Sequence, residues 1–269
     1  MTNRCAANGL TSRYIALLFA TALSLLLCGC ATIGREQPVT ADNVDRLAEL
    51  NTRLGVGYLQ EGRYDVAWKR LQRALEIEPN YSVAHNAMAL LNERLDKPQE
   101  AETHYRRAIE VNPGDSAARN NYGRFLCAAG RPAEAQFLQA AENPLYDSPA
   151  IAYTNAGLCL YRNGNSDRAE TYLRRALEIN PKVPAALLKM GTLSLEKGRP
   201  LPARAYLQRY LEVGTHTPEA LWLGIRIERE LGNQDAVAHY ALLLQENFPD
   251  SHETRLLLES QPSKRPSTE

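Results

Sequence analysis

The chain has 269 residues, with 31 Lys plus Arg balanced by 31 Asp plus Glu. A neutral chain sets up no net field to steer it toward nucleic acid or other acidic polymers, and its length suits one large domain or an array of repeats. At its start, Arg4 and Arg13 supply positive charge, no acidic residue precedes Glu36, and Tyr14 to Leu27 is almost unbroken Ala, Leu, Ile and Phe. That run falls short of the roughly 20 residues a spanning helix needs. A basic start, a short apolar middle and a small-residue end predict a secretory signal over residues 1–29. A short anchor that stays attached is the alternative.

The apolar run ends in Leu27-Cys28-Gly29-Cys30, which resembles the lipobox of bacterial lipoproteins: a leucine, two small positions, then the cysteine whose thiolate takes a diacylglyceryl group. Cys28 fits that role poorly, because the residue before it is the bulky Leu27. Cys30 is therefore the expected lipidation site and mature N-terminus, with Cys5 and Cys28 discarded. Ala31 follows where lipoproteins kept in the inner membrane commonly carry Asp, so the resemblance implies the periplasmic face of the outer membrane. The several acyl chains of a lipoprotein hold it there stably. Residues 30–41 read as a flexible tether reaching on the order of 40 Å if extended, and Asp42 as the cap of the first helix.

Beyond the tether the chain repeats itself. Ala67, Ala101, Ala135, Ala169 and Ala203 follow one another at a period of 34 residues, and the next step reaches Val237, with Ala236 one place earlier. Around them recur Asn51, Leu54, Gly55, Tyr58, Leu71, Ala74 and Pro79, then His85, Met88, Ala89, Asn92, Tyr105, Ala108 and Pro113, and again Tyr153, Ala156, Gly157, Leu160, Leu173, Ala176 and Pro181. Period and pattern resemble the tetratricopeptide repeat, although most copies lack its first Trp. Gly55, Ala89, Gly123, Gly157, Gly191 and Gly224 allow the two helices of a repeat to approach closely. Gly62, Gly130, Gly164, Gly198 and Gly232 stand where the first helix ends, and the prolines of "EIEPN", "EVNPG" and "EINPK" close the second. A coiled coil would not place turn glycines and terminal prolines at this period. The expected fold is all-α, a right-handed α-solenoid of six tetratricopeptide repeats over residues 42–259 with a C-terminal capping helix.

Two repeats depart from the pattern. In "AEAQFLQAAENPLYDSPA" the second helix of the third repeat reads one residue out of step, with Leu138 and Ala141 in the core slots and "NPLYDSP" as a longer loop. In the sixth repeat Leu223, Gly224, Ala236, Tyr240 and Leu243 fit best one residue early. Ser251 to Glu259 begins the cap, and residues 260–269, with no apolar side chain to bury, read as a disordered tail.

No catalytic pattern emerges. His85, His104, His216, His239 and His252 are scattered without a metal-ligand spacing, and there is no G-x-S-x-G or phosphate-binding glycine loop. Neither a catalytic residue, a metal nor a cofactor is assigned. The acidic residues sit mostly in helical company with Arg, as on a solvated face. What remains is a binding scaffold, and solenoids bind along their concave face, lined by first helices. The inward positions are Val56, Leu59 and Gln60 in the first repeat, Asn86, Leu90, Glu93 and Arg94 in the second, Asn120, Asn121 and Arg124 in the third, and Asn155, Leu158, Tyr161 and Arg162 in the fourth. Asparagines there can bond the backbone of a peptide while Leu and Val offer apolar pockets. Alternatively the asparagines only satisfy neighbouring helices. No basic pair sits where a chaperone's terminal carboxylate would be clamped.

A lipobox followed by six such repeats resembles the type IV pilus biogenesis lipoproteins of the PilF/PilW type, and "NYGRFLCAAGRPAEA", "ENPLYDSPAIAYTNAGLC" and "LLLQENFPDS" are similar to stretches of that family. The resemblance implies a tether that helps secretin subunits reach the outer membrane and assemble, with the secretin as protein partner, the membrane engaged through the lipid on Cys30, and no nucleic acid, small-molecule substrate or cofactor. Adaptor roles in outer-membrane β-barrel assembly, peptidoglycan hydrolase recruitment or exopolysaccharide export are the alternatives. Cys127 and Cys159, 32 residues apart in a 34-residue period, fall on first helices of neighbouring repeats. In an oxidising compartment they can form a disulfide, or stay as two buried thiols.

Overall fold

A computed structural model describes residues 41–260, with side chains from Asp45 onward. Cys30, the signal and tether segments before Ala41, and residues 261–269 of the tail lie outside the described residues. The described residues form 13 helices and no strand. α1 (Ala41–Gln60) pairs with α2 (Tyr64–Ile77), α3 (Ser82–Arg94) with α4 (Pro98–Val111), and α5 (Ser116–Ala128) with α6 (Glu134–Ala141). α7 (Pro149–Arg162) pairs with α8 (Ser166–Ile179), α9 (Pro184–Glu196) with α10 (Pro200–Val213), and α11 (Pro218–Glu230) with α12 (Gln234–Asn247), before α13 (His252–Glu259) closes the array. From α3 on, each first helix packs on its own partner and on the first helix of the next repeat, the contact pattern of an α-solenoid.

The helices form where apolar residues recur with helical spacing. Second helices bury one stripe each: Ala67, Leu71 and Ala74 on α2, Ala101, Tyr105 and Ala108 on α4, Ala169, Leu173 and Ala176 on α8. First helices are covered on more than one side, so α3 buries Ala84, His85, Asn86, Ala87, Met88, Ala89 and Leu91 in near-continuous sequence. At the turns after first helices, Gly62, Gly130, Gly164, Gly198 and Gly232 adopt φ between 66° and 80°, a left-handed geometry that costs glycine little. The second repeat places Asp96 there at φ 55°, the single non-glycine with positive φ among the described residues. Ser251 caps α13 by accepting from the Thr254 N–H at 3.1 Å. The first helix starts at Ala41, so Asp42 lies inside it and not at its cap.

The third repeat departs further from the period than its sequence suggests. Ala133, Phe137 and Ala140 fill the slots held elsewhere by Ala101, Tyr105 and Ala108, while Ala135 is exposed and Leu138 half-buried. The register is thus two residues early, not one. Ala141, one of the two expected core residues, is buried. Two residues are missing from the turn, since Gly62 and Ala67 are five positions apart but Gly130 and Ala133 only three. They return in the following loop, where Ala140 and Ala152 are twelve apart against ten for Ala108 and Ala118. The Phe137 ring, larger than Leu138, takes the place against Gly123, where an added Cβ would come within 2.7 Å of it. Asn143 ties the loop back, donating to the Gly114 carbonyl at 3.0 Å and to Ser116 Oγ at 2.8 Å. In the sixth repeat Gly224 does meet Tyr240, 3.0 Å from a Cβ placed there. Leu244, rather than Leu243, is fully buried, because α13 brings Leu257 over it with Leu221 and Ile225.

Candidate functional site

First helices α3, α5, α7 and α9 line a concave cleft of about 550 Å³ whose walls include Glu93, Arg124, Leu158, Tyr161, Arg162 and Lys189. Asn155 also lines it, and Phe137 reaches it from α6. The repeat geometry explains the convergence: positions one period apart on successive first helices stand side by side, so Asn121, Asn155 and Lys189 form one row. Following that row would have found Lys189, which the sequence reading left out.

Within the cleft the sulfurs of Cys127 and Cys159 are bonded, with Cα atoms 5.9 Å apart. The bridge joins α5 to α7 across the repeat whose register is displaced. Arg162 Nη2 lies 2.9 Å from Cys127 Sγ. Lys189 Nζ sits 3.9 Å from the centroid of the Tyr161 ring, a cation–π contact. Tyr161 donates to Glu196 at 2.6 Å. Burial, with that hydrogen bond, pushes its hydroxyl up to about 12, so it stays protonated as a donor. Burial also lowers the Lys189 ammonium from its ordinary value, against the opposing pull of Glu196. Glu93 accepts from Tyr105; burial first, and this bond second, hold Tyr105 far above its ordinary value.

The remaining inward residues divide. Asn86 and Asn120 are buried and serve a ladder between repeats: Asn121 donates to Asn86 at 3.1 Å and Asn155 to Asn120 at 2.9 Å. The asparagines therefore do satisfy neighbouring helices, with their remaining polar atoms left to other partners. Val56 and Leu59 pack against Leu71, Met88 and Leu91, and Leu90 against the core of the next repeats, each half-buried. Gln60 and Arg94 are exposed. Of these nine residues only Asn155 lines the cleft.

Charge on the outer side is organised differently. Glu102 on α4 receives Arg106 and Arg131 at 2.8 Å each and Tyr122 at 3.0 Å. The Arg131 bond outweighs burial and holds its carboxyl at about 2. Glu170 on α8 gathers Lys197 at 2.7 Å, Arg199 at 3.0 Å and Arg174. Burial pushes Glu170 up, but the bonds from Lys197, Arg174 and Arg199 prevail and leave it at about 2. Such networks tie a second helix to the turn of the following repeat.

Two histidines meet that looked unrelated in sequence. His85 Nδ1 lies 3.0 Å from His104 Nδ1, and His85 Nε2 is 3.0 Å from the Pro79 carbonyl. A carbonyl only accepts, so Nε2 carries the hydrogen and Nδ1 of neutral His85 accepts from His104. Burial lowers both below the ordinary histidine value. Their spacing follows from the pairing of α3 with α4, and no local motif announces it. Among the described residues no group of three or more His, Cys, Asp or Glu is placed to hold a metal.

Known proteins place this architecture. Tetratricopeptide repeat family models match residues 83–115, 104–137 and 150–183. The type IV pilus assembly protein PilF of Pseudomonas aeruginosa is 32% identical over 241 residues, covering 88% of this chain and 95% of PilF. A solved structure of Pseudomonas aeruginosa PilF superposes with a TM-score of 0.76 at 30% identity, over 81% of this chain and 99% of that one. The crystal structure of PilW, described as a widely conserved type IV pilus biogenesis factor, gives 0.71 at 31% identity, over 78% and 98%. With that identity along nearly the whole of both chains, the same helical array and the same repeat, the chain belongs to the PilF/PilW family of tetratricopeptide type IV pilus biogenesis proteins.

Proposed function

We propose that this protein is an outer-membrane lipoprotein that serves as pilotin, or assembly factor, for the type IV pilus secretin. The end-to-end identity with a pilus assembly protein carries the reading, and the chain's own residues support it. Cys30, in its lipobox, takes the lipid and faces the repeats into the periplasm. The tether before α1 lets the array reach incoming secretin subunits, and the concave face of first helices receives a segment of them. The work is binding and delivery, with no substrate turned over. A rigid scaffold suits it, because a preformed groove avoids the ordering cost that a flexible binder meets on association.

The test couples anchoring to assembly. Cys30→Ala should remain uncleaved or leave the outer-membrane fraction, with a fall in secretin multimers. Wild-type protein captured from detergent-solubilised outer membranes should bring the secretin with it. Normal multimers and unchanged fractionation in Cys30→Ala, together with no secretin in the wild-type capture, would defeat the reading.

A further inference from the structure

The cleft gathers three cations without an ion pair, on a chain whose formal charges sum to zero. Arg124, Arg162 and Lys189 project into it from three successive first helices, and none takes part in an ion pair among the described residues. Their nearest partners are neutral: the Asn121 amide oxygen at 3.5 Å, a disulfide sulfur and an aromatic ring. By contrast Arg106, Arg131, Arg174, Lys197, Arg199 and Arg204 all meet carboxylates. The one carboxylate in the cleft wall, Glu93, accepts from Tyr105, and Glu196 beyond Tyr161 pulls on Lys189; together they offset part of the charge and leave the three cations in excess. Unpaired cations converging in a concavity with low-dielectric walls focus a positive potential there.

Between the cations the floor is apolar, formed by Leu158, Phe137 and the disulfide. Asn155 donates through Nδ2 to Asn120, and its Oδ1 has no partner among the described residues. An acceptor beside an apolar floor suits the N–H of an extended backbone, whose side chains on one face recur at about 7 Å.

We propose that this cleft binds an extended polypeptide segment in which acidic side chains flank an apolar one, the carboxylates meeting Arg124 and Lys189 and the apolar group resting on Leu158 and the disulfide. This deepens the polypeptide-binding reading of the concave face and rests on it. The segment is internal to its chain: the recognised charges are side chains, so a free C-terminus is not required. Association is steered by the cations and weakens with salt.

The probe is a fluorescein-labelled, C-terminally amidated nonapeptide of alternating Asp and Ser around one central Phe, titrated with the full-length chain in detergent. Its control has Asn in place of every Asp. The acidic peptide should bind at least about tenfold more tightly than the control at about 50 mM salt, and lose most of that advantage at about 500 mM. Arg124→Gln and Lys189→Gln should each lower affinity about fivefold with helicity and Tm unchanged, while Arg124→Lys keeps most of it. Equal binding of the two peptides, no binding of either, or full affinity in both Gln variants would overturn the inference. In a parallel arm, purified secretin is offered to wild type and to the Gln variants. Equal secretin binding by all three sinks the acidic-segment inference and leaves the pilus reading standing. Failure of secretin to bind wild type sinks the pilus reading whatever the peptides do.

Discussion

Glycines at the crossing of a repeat's two helices look equivalent in the sequence, yet their surroundings predict opposite responses to the same substitution. Replacing a mid-helix glycine by alanine gains about 1 kcal/mol of helix propensity. At Gly157 the new Cβ would lie 2.7 Å from Leu173 Cγ and 3.0 Å from the Ala169 carbonyl oxygen. A backbone oxygen cannot swing aside, so α7 and α8 must separate. Overpacking of this kind costs about 1–3 kcal/mol, which offsets the gain and leaves Gly157→Ala less stable by up to roughly 2 kcal/mol. At Gly191 the closest atom is the terminal Leu223 Cδ2 at 3.1 Å, with the Ala203 carbonyl oxygen at 3.5 Å. A methyl can yield a few tenths of an ångström, so Gly191→Ala should be neutral to slightly stabilising. Gly57 on α1 has nothing within 4 Å of an added Cβ, and Gly57→Ala should show the full propensity gain of about 1 kcal/mol. Urea denaturation followed by circular dichroism should rank the variants Gly57→Ala, Gly191→Ala, wild type, Gly157→Ala, with about 2–4 °C in Tm for each kcal/mol. A Gly157→Ala protein as stable as Gly191→Ala would refute the claim that close helix approach, rather than period alone, dictates glycine there.

Joint Cys127→Ala and Cys159→Ala, or reduction of wild type, should destabilise by about 3–4 kcal/mol in the chain-entropy account of a bridge 32 residues apart; two free thiols on denatured, unreduced protein would contradict it. His85 and His104 bind a proton less readily folded than unfolded, so stability should be level above their ordinary value of 6.5 and decline as pH falls below it. A second decline should follow from about 4.5 toward about 2, as Glu102 and Glu170 are protonated. His85→Gln with His104→Gln should abolish the first decline only, and urea midpoints between pH 7.5 and 5.5 that do not move in wild type would count against the pair. Asp96→Gly should raise stability by about 1 kcal/mol, since φ 55° is strained for a residue with a Cβ; a lower thermal midpoint would show that its side chain offsets the strain. Leu59→Asp and Leu90→Asp should weaken partner binding but also lower Tm, because both leucines pack on the core; unchanged melting would place them at the surface.

Much of this molecule was legible in its sequence. Alanines at a fixed period, glycines that can turn left-handed and prolines that end helices are local instructions, each set by the conformational range of a single residue, and together they specify a helical array and its number of repeats. The pairing of Cys127 with Cys159 was also within reach, since neighbouring first helices lie side by side and a register offset is simple arithmetic on the period. Non-local competition decided the rest. Only packing could show that Phe137 outbids Leu138 for the space against Gly123, moving the third repeat two residues early and exposing Ala135. The meeting of His85 with His104 depends on the rotation of two helices about each other. Nor could sequence reveal that Arg124, Arg162 and Lys189 gather in one cleft without an ion pair while Arg131, Lys197, Arg199 and Arg204 find carboxylates: composition counts charges, but whether a charge is cancelled depends on distances of a few ångströms between residues far apart in the chain.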